Sequence, residues 1–492
     1  MSQLTTQQTF GLAIQHHQAG RLREAEQLYR QILAREPEHI HAMHHLGVIA
    51  FQMGHSDIAV GLIRQAVALQ PNYPEAYCNL GNALKDRGRL DEAIAAHRQA
   101  IVLRPNYANA YIGLGNALRA GRQFDEAIAA YHQAIVLGPD FAEAHLNLAN
   151  ALNDKGELDK ALTACRQAIA LKPSYAEAHF NLALMLLRMG DFYNGWKEHE
   201  WRWEWKGFSS PRRNFSQPQW NGGSLEGHTI LLHTEQGFGD AIQFIRYVPL
   251  VAQRGGKIII ECQVELQRLF RTMPEGCQIV TRGEPLPAFD VHCPLLSLPL
   301  IFGTTLENIP NIVPYLHAGE QEAERWQQRL NGNLPTIKAG KVGLVWAGRP
   351  THTNDRNRSM KLSSLAPLGQ VPGIRFFSLQ KNEAAAEAKM PPAGMELVDY
   401  TDALNDFADT AALIANLDLL IAVDTAVVHL AGAIGKPVWT LLPFNRDWRW
   451  LLEREDSPWY PTMRLFRQQT PGDWQTPIQK LTEELMYFST SK

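Results

Sequence analysis

Three short polar runs hold the residue types that chemistry needs: QGFGD at 236–240, GRPTHTNDRNRSMK at 348–361 and DTAVVH at 424–429. In the first, Gly237 and Gly239 allow close backbone approach to a ligand, and the Asp240 carboxylate is suited to take a proton as a general base. The same position also suits a helix N-cap ahead of AIQFIRYV, and both readings of Asp240 stay open. In the second run, Arg349, Arg356, Arg358 and Lys361 put enough positive charge on one loop to neutralise a diphosphate; a solvated basic loop would have the same composition. In the third, Thr425 is placed to cap a helix whose first N–H groups, from Ala426 on, would face an anion. His429 can donate to a phosphate oxygen there, and Asp424 suits sugar or ribose hydroxyls. Gln380 and Lys381, at the end of the apolar run RFFSLQK, complete this donor-side set.

Such groups act together only if the fold brings them together. From Thr229 onward, short apolar runs (TILLHTE, KIIIECQ, CQIVTRG) alternate with helical stretches, one of them near 241–254. After a charged helix around 319–330 the alternation restarts with KVGLVWAG, RFFSLQK, MELVDY, DLLIAVDT and PVWTLLP, with DFADTAALIANL and AVVHLAGAIG as helices between them. This pattern predicts parallel sheets with helices on both faces, built as two similar lobes at 228–330 and 331–492. Ligands of such sheets bind beyond the carboxyl ends of the strands, where all three polar runs fall.

The first two hundred residues follow a different rule. Leu12, Leu46, Leu80, Leu114, Leu148 and Leu182 recur every 34 residues, as do Ala25, Ala59, Ala93, Ala127 and Ala161. Pro37, Pro71, Pro105, Pro139 and Pro173 stop the second helix of each unit, and Gly20, Gly54, Gly88, Gly156 and Gly190 mark the turn inside it. A period of this length denotes a helical solenoid, here six units over 1–207. Asn79, Asn147 and Asn181 share one repeat position and Asn82, Asn116 and Asn150 another, three residues on along one helical face. This amide ladder either binds peptide backbone or simply follows the repeat consensus. Trp196, Trp201, Trp203 and Trp205 then predict docking of the repeat end against the next domain, and polar 208–227 reads as a linker. Trp448, Trp450, Trp459 and Tyr460 form a second aromatic group, either stacking a base or sealing the lobes.

The repeats YCNLGNALKDRGRLDEAIAAHRQAIVLRP and YIGLGNALRAGRQFDEAIAAYHQAIVLGP resemble tetratricopeptide repeats. The stretches HTEQGFGDAIQFIRYVPL, GLVWAGRPTHTNDRNRS and VDTAVVHLAGAIGKPVWTLLP resemble glycosyltransferase family 9, the ADP-heptose heptosyltransferases; the whole order is similar to bacterial tetratricopeptide glycosyltransferases and, more distantly, to protein O-GlcNAc transferase. The resemblance implies a solenoid followed by a two-lobed GT-B pair of Rossmann-like α/β lobes, acting on a nucleotide-diphosphate sugar. It implies Asp240 as base, Arg358 near the donor phosphates, and Asp424, Thr425 and His429 as the donor-binding element. Ala426 departs from the family's usual glycine, which puts heptose as the transferred sugar in doubt.

With no Asp-x-Asp triplet and no metal-ligand spacing, the reading expects no divalent ion and no cofactor beyond the donor. The acceptor is expected to be a protein held by the repeats, with a lipopolysaccharide or other glycan as the alternative and a non-catalytic scaffold as the alternative of another class. GFGDAI with Glu261 some twenty residues on faintly echoes a dinucleotide fingerprint, although Ile242 stands where its third glycine belongs. A net charge of −3 gives no drive toward nucleic acid. Five unpaired-looking cysteines, no signal peptide pattern and no long apolar stretch together give the expectation of a cytoplasmic protein.

Overall fold

A computed structural model of the 492-residue chain describes residues 4–273, 276–332, 340–352 and 354–490. They form two compact units that divide at Leu182 and Ala183.

The first unit is all helix. Helices pair as Thr6–Gln18 with Leu22–Arg35, Ile40–Gln52 with Ser56–Leu69, Pro74–Asp86 with Leu90–Leu103, Ala108–Ala120 with Phe124–Leu137 and Ala142–Lys155 with Leu158–Leu171. The pairing follows from the repeat: Ala25, Ala59, Ala93, Ala127 and Ala161 are fully buried, and only a methyl group lets the helices approach so closely at these points. Gly20, Gly54, Gly88 and Gly156 take the left-handed conformation that turns the chain inside each pair, and Arg122 takes it in the fourth. A sixth pair, Ala176–Met189 with Phe192–His199, completes the expected repeats, but the unit division falls inside its first helix. The reason is packing: Leu187, Phe192 and Trp196 bury in the core of the second unit.

The second unit holds two parallel sheets. The first comprises β1 (Thr229–His233), β2 (Lys257–Cys262), β3 (Cys277–Thr281) and β4 (Val291–Pro294), in the order β3-β2-β1-β4. The second comprises β5 (Gly340–Val345), β6 (Ile374–Ser378), β7 (Leu397–Asp399), β8 (Leu419–Val423), β9 (Val438–Leu442) and β10 (Met463–Arg467), in the order β10-β9-β8-β5-β6-β7. Within its own lobe that is 6-5-4-1-2-3, the doubly wound order, whose direction reverses between β5 and β8. The first sheet reverses between β1 and β4. The helix Gln475–Thr490 buries Ile478, Leu481 and Leu485 against the second sheet's core.

Residues 208–227 are not a free linker. Gln219 bridges to His292 of β4, Trp220 and Leu225 are buried, and Arg213 pairs with the buried Glu261 at the end of β2. A Pro-rich, polar composition hid these tertiary partners. The junction expected between the lobes lies beside residues 333–339, outside the described residues. Among the described residues, no helix is long and apolar enough to cross a membrane.

Candidate active site

All three polar runs lie where strand order reverses: 236–240 follows β1, 348–361 follows β5, and 424–429 follows β8. A parallel sheet leaves a crevice at that point, because successive connections leave to opposite faces.

Asp240 sits in the first turn of the helix Phe238–Phe244. Its carboxylate reaches back to accept from the Gly237 N–H at 2.8 Å, so Gly237 is the N-cap and Asp240, expected there, is the third helical residue, closing the cap from inside the helix. The same carboxylate forms an ion pair with Arg449, which lies in the 3-10 turn Trp448–Trp450 of the other lobe. Arg449 also holds Asp447 at 2.9 Å, donates to the Gln243 side chain, and lies over the Trp448 ring at 4.4 Å. Burial raises the Asp240 carboxyl above its usual range, while Arg449 and the Gly237 N–H pull it back. Behind the loop, the buried Arg202 pairs with Glu235 at 2.9 Å and bonds Ser297, and Glu235 accepts from the Leu296 N–H. This network anchors the residue just before Gln236 and Gly237.

Gly239 has a specific steric role. A Cβ there would lie 2.9 Å from Cδ2 of His429 and 3.5 Å from the Ala426 backbone, so the helices Phe238–Phe244 and Ala426–Ala433 meet across the lobes only with glycine at this position. His429 is buried, bonds the Tyr460 hydroxyl at 3.0 Å through Nδ1, and stacks on Trp450 with ring centroids 5.4 Å apart. Burial, then Arg449, holds its imidazole well below the ordinary value. Thr425 does not cap the following helix with its side chain; its hydroxyl is buried at the helix start without a partner among the described residues.

Arg358 is half-buried and donates to the Asp424 carbonyl at 2.9 Å, joining the loop after β5 to the end of β8. The Asp424 carboxyl is pushed up to about 6 by burial and then by Asp447, against the Trp450 indole, Arg358 and Arg449. Arg349 and Lys361 are exposed. Gln380 is otherwise employed than expected. It is buried, its carbonyl accepts from the Trp346 and Ala347 N–H groups at 2.9 Å each, and its amide donates to the Ala347 and Lys381 carbonyls. Lys381 donates to the carbonyls of Thr401 and Leu404. Both side chains bond backbone groups in and beyond the carboxyl edge of the second sheet.

Three members of the cluster escaped the sequence reading. Arg449 and Asp447 lie inside a tryptophan-rich run and are charged residues flanking buried aromatics, which is the one signal that marked them. His352 is another: it accepts from the Asn354 N–H at 3.1 Å through Nδ1, and its imidazole, lowered by burial and then by Arg358, feels Asp447, Asp355 and Asp240. Trp448, Trp450, Trp459 and Tyr460 are all buried, so they seal the core and present no open stacking face. Glu261, the acid of the dinucleotide alternative, is bound bidentately by Arg213 and is not available to a ribose. Among the described residues no group of three or more His, Cys, Asp or Glu is placed to hold a metal ion.

In the first unit the asparagines do not form a row of equal, free amides. Asn79 donates to His44 at 2.9 Å, Asn181 donates to Asn150 at 2.9 Å, and Asn116 accepts from the Tyr131 hydroxyl at 2.8 Å. Asn82 and Asn147 are half-buried and keep their amides unengaged among the described residues.

Comparison with known proteins agrees with this division. Residues 16–80, 81–121 and 112–176 match tetratricopeptide repeat models, and residues 369–450 match glycosyltransferase family 9 (heptosyltransferase). A curated relative, protein FlbA of Caulobacter vibrioides, is 27% identical over 329 residues, covering 62% of this chain and 54% of its own. The chain thus spans about half the length of that relative. Among solved structures, MamA is 27% identical with a TM-score of 0.31, covering 34% of this chain and 96% of its own. A thermophilic tetratricopeptide protein of Thermus thermophilus is 25% identical with a TM-score of 0.34, covering 37% of this chain and all of its own. The chain therefore carries tetratricopeptide repeats followed by a glycosyltransferase family 9 segment in an α/β unit.

Proposed function

We propose that the chain is a glycosyltransferase that moves a sugar from a nucleotide-diphosphate donor to a protein acceptor presented by the repeats, in a single inverting displacement. The observation that carries the reading is the meeting, at the switch points of two parallel sheets, of Asp240 from one lobe with Arg358, Asp424 and Arg449 from the other. Such a transfer needs a base for the acceptor hydroxyl and positive charge or dipoles for the departing diphosphate. Asp240 is the base, and the leaving group is met by Arg358, Lys361 and the N–H groups opening the helix Ala426–Ala433, without a divalent ion. Gly237, Gly239, Arg349, Thr425 and Ala426 border the donor, and His429 braces the site from beneath.

One observation favours a second reading. Asp240 already spends its carboxylate on Gly237 and Arg449, Gln380 is fully used by the backbone and Lys381 gives two of its three N–H groups to it, as in a scaffold that holds partners without chemistry. A glycan acceptor in place of a protein is a variant of the first reading. Thermal-shift screening across nucleotide sugars, followed by intact mass of acceptors, separates these readings. Asp240→Asn is expected to keep donor affinity and lose transfer, and Arg358→Ala to weaken donor binding. Transfer by Asp240→Asn at the wild-type rate would remove the assignment of the base, and no donor binding by the wild type would favour the scaffold.

A further inference from the structure

The amide ladder of the first unit has a gap, and a cavity lies beside it. Gly113 stands 34 residues from both Asn79 and Asn147, at the position where those repeats and the repeat of Asn181 have asparagine. The reason lies in the preceding repeat. His97 is fully buried, and a Cβ on Gly113 would overlap its Cε1, so this position tolerates no side chain.

Beside Gly113 lies a cavity of about 260 Å³, bordered also by Asn79, Asn82, Asn109, Asn116 and Glu143. It is smaller than the roughly 300–1,000 Å³ usual for a small-molecule site and suits one side chain of a bound chain. Its charge is one-sided. Asn79 gives its N–H to His44, which leaves its carbonyl oxygen as an acceptor; Asn82 and Asn109 have amides unengaged among the described residues. Glu143 is exposed and makes no ion pair with any described residue, whereas nearby Arg104 and Arg119 are already paired with Glu75 and Asp154 at 2.6 Å each. Glu143 also acts on Glu177, one period on, whose carboxyl is raised by burial and then by this neighbour. The cavity therefore combines asparagine amides, which can accept as well as donate, with one unpaired carboxylate; the Asn116 oxygen is already taken by Tyr131, and no cation among the described residues lines the cavity.

We propose that this cavity is a specificity pocket for one lysine or arginine side chain of an extended peptide laid along the first helices of the repeats. An ammonium or guanidinium group brings only donors, three or five of them, and finds acceptors on Glu143, Asn79, Asn82 and Asn109. This deepens the reading in which the repeats present a protein, and it stands independently of any transfer chemistry.

The test is selection from a random-peptide phage library on the full chain, with Glu143→Gln and Glu143→Lys alongside; Glu143 is exposed, so both variants keep the fold. Wild type is expected to enrich lysine or arginine at one fixed position. In anisotropy titrations of a selected peptide, Glu143→Gln is expected to weaken binding about tenfold, the size of one charge-assisted contact. Glu143→Lys is expected to turn the enrichment toward aspartate or glutamate. The proposal falls if wild type selects no basic residue at a fixed position, or if both variants select the same peptides as wild type. Absence of sugar transfer with this selectivity intact would count against the catalytic reading alone, and transfer without the selectivity against the pocket alone.

Discussion

Asp240 and Arg449 are 209 residues apart and belong to different lobes, yet their side chains form a direct ion pair. The carboxylate that best suits a base is therefore held by a buried cation, and that cation is shared with Asp447.

Arg449→Met leaves Asp240 buried without its partner. Breaking a buried pair from one side costs about 3–5 kcal/mol, so the midpoint of urea unfolding should fall by the corresponding amount. The Asp240 carboxyl, already raised by burial, should rise further and shift the acid limb of any transfer profile upward. Adding Asp240→Asn should restore much of the stability. An unchanged unfolding midpoint in Arg449→Met would show the pair to be energetically idle.

Asp424 titrates near 6 in the folded chain against an ordinary 3.8, so between those values the folded state binds the extra proton and stability falls as pH rises. Above the folded value the full cost is present; below the ordinary value there is none. Asp424→Asn should therefore raise the melting temperature above about pH 6 and change it little below 3.8. A gain of equal size at both ends of a melting-temperature series would place its origin elsewhere than in this carboxyl.

Gln380→Ala removes the acceptor for two N–H groups and the donor for two carbonyls at the edge of the second sheet. Each buried group left unsatisfied costs roughly 1–3 kcal/mol, so calorimetry should show a strong loss of stability. Titration with a nucleotide sugar, at a temperature where the variant is folded, should give near wild-type affinity. A selective loss of affinity at unchanged stability would return Gln380 to the donor contacts.

Arg122 alone among the six intra-repeat turns holds a left-handed backbone, φ 61°, without being glycine. The conformation costs a non-glycine residue about 1–2 kcal/mol, partly offset by the entropy that glycine loses on folding. Arg122→Gly should leave the chain equal or up to about 1 kcal/mol more stable in urea unfolding. A clear loss would mean that the Arg122 side chain outweighs its own backbone.

Most of the architecture was legible because it rests on periodicity. The 34-residue recurrence of alanine and glycine is the packing geometry itself, and β1, β2, β5, β8 and β9 are each predominantly apolar. β4 is short and carries His292, and β10 interleaves arginine with apolar residues in MRLFR, so neither has the pattern of a buried strand. The site was half legible. Glycines and charges at strand ends pointed to the right three loops, but Arg449 was hidden among tryptophans, and Gln380 and Lys381 looked available because backbone needs are invisible in a sequence. Asp240 sits three residues inside the helix rather than at its N-cap, where Gly237 stands; its bond back to the Gly237 N–H leaves one carboxylate oxygen for Arg449.

The helix Gln475–Thr490 has a further consequence for handling the protein. Its inward side supplies Ile478, Leu481 and Leu485 to a core that includes Val342, Leu344 and Phe376, with Trp439 and Phe488 in edge contact at 6.1 Å. A chain clipped ahead of Ile478 would expose a continuous greasy strip, a surface of the kind that drives molecules to clump. Proteolytic nicking near Trp474 should thus be detected first as turbidity, before any change in what the chain binds.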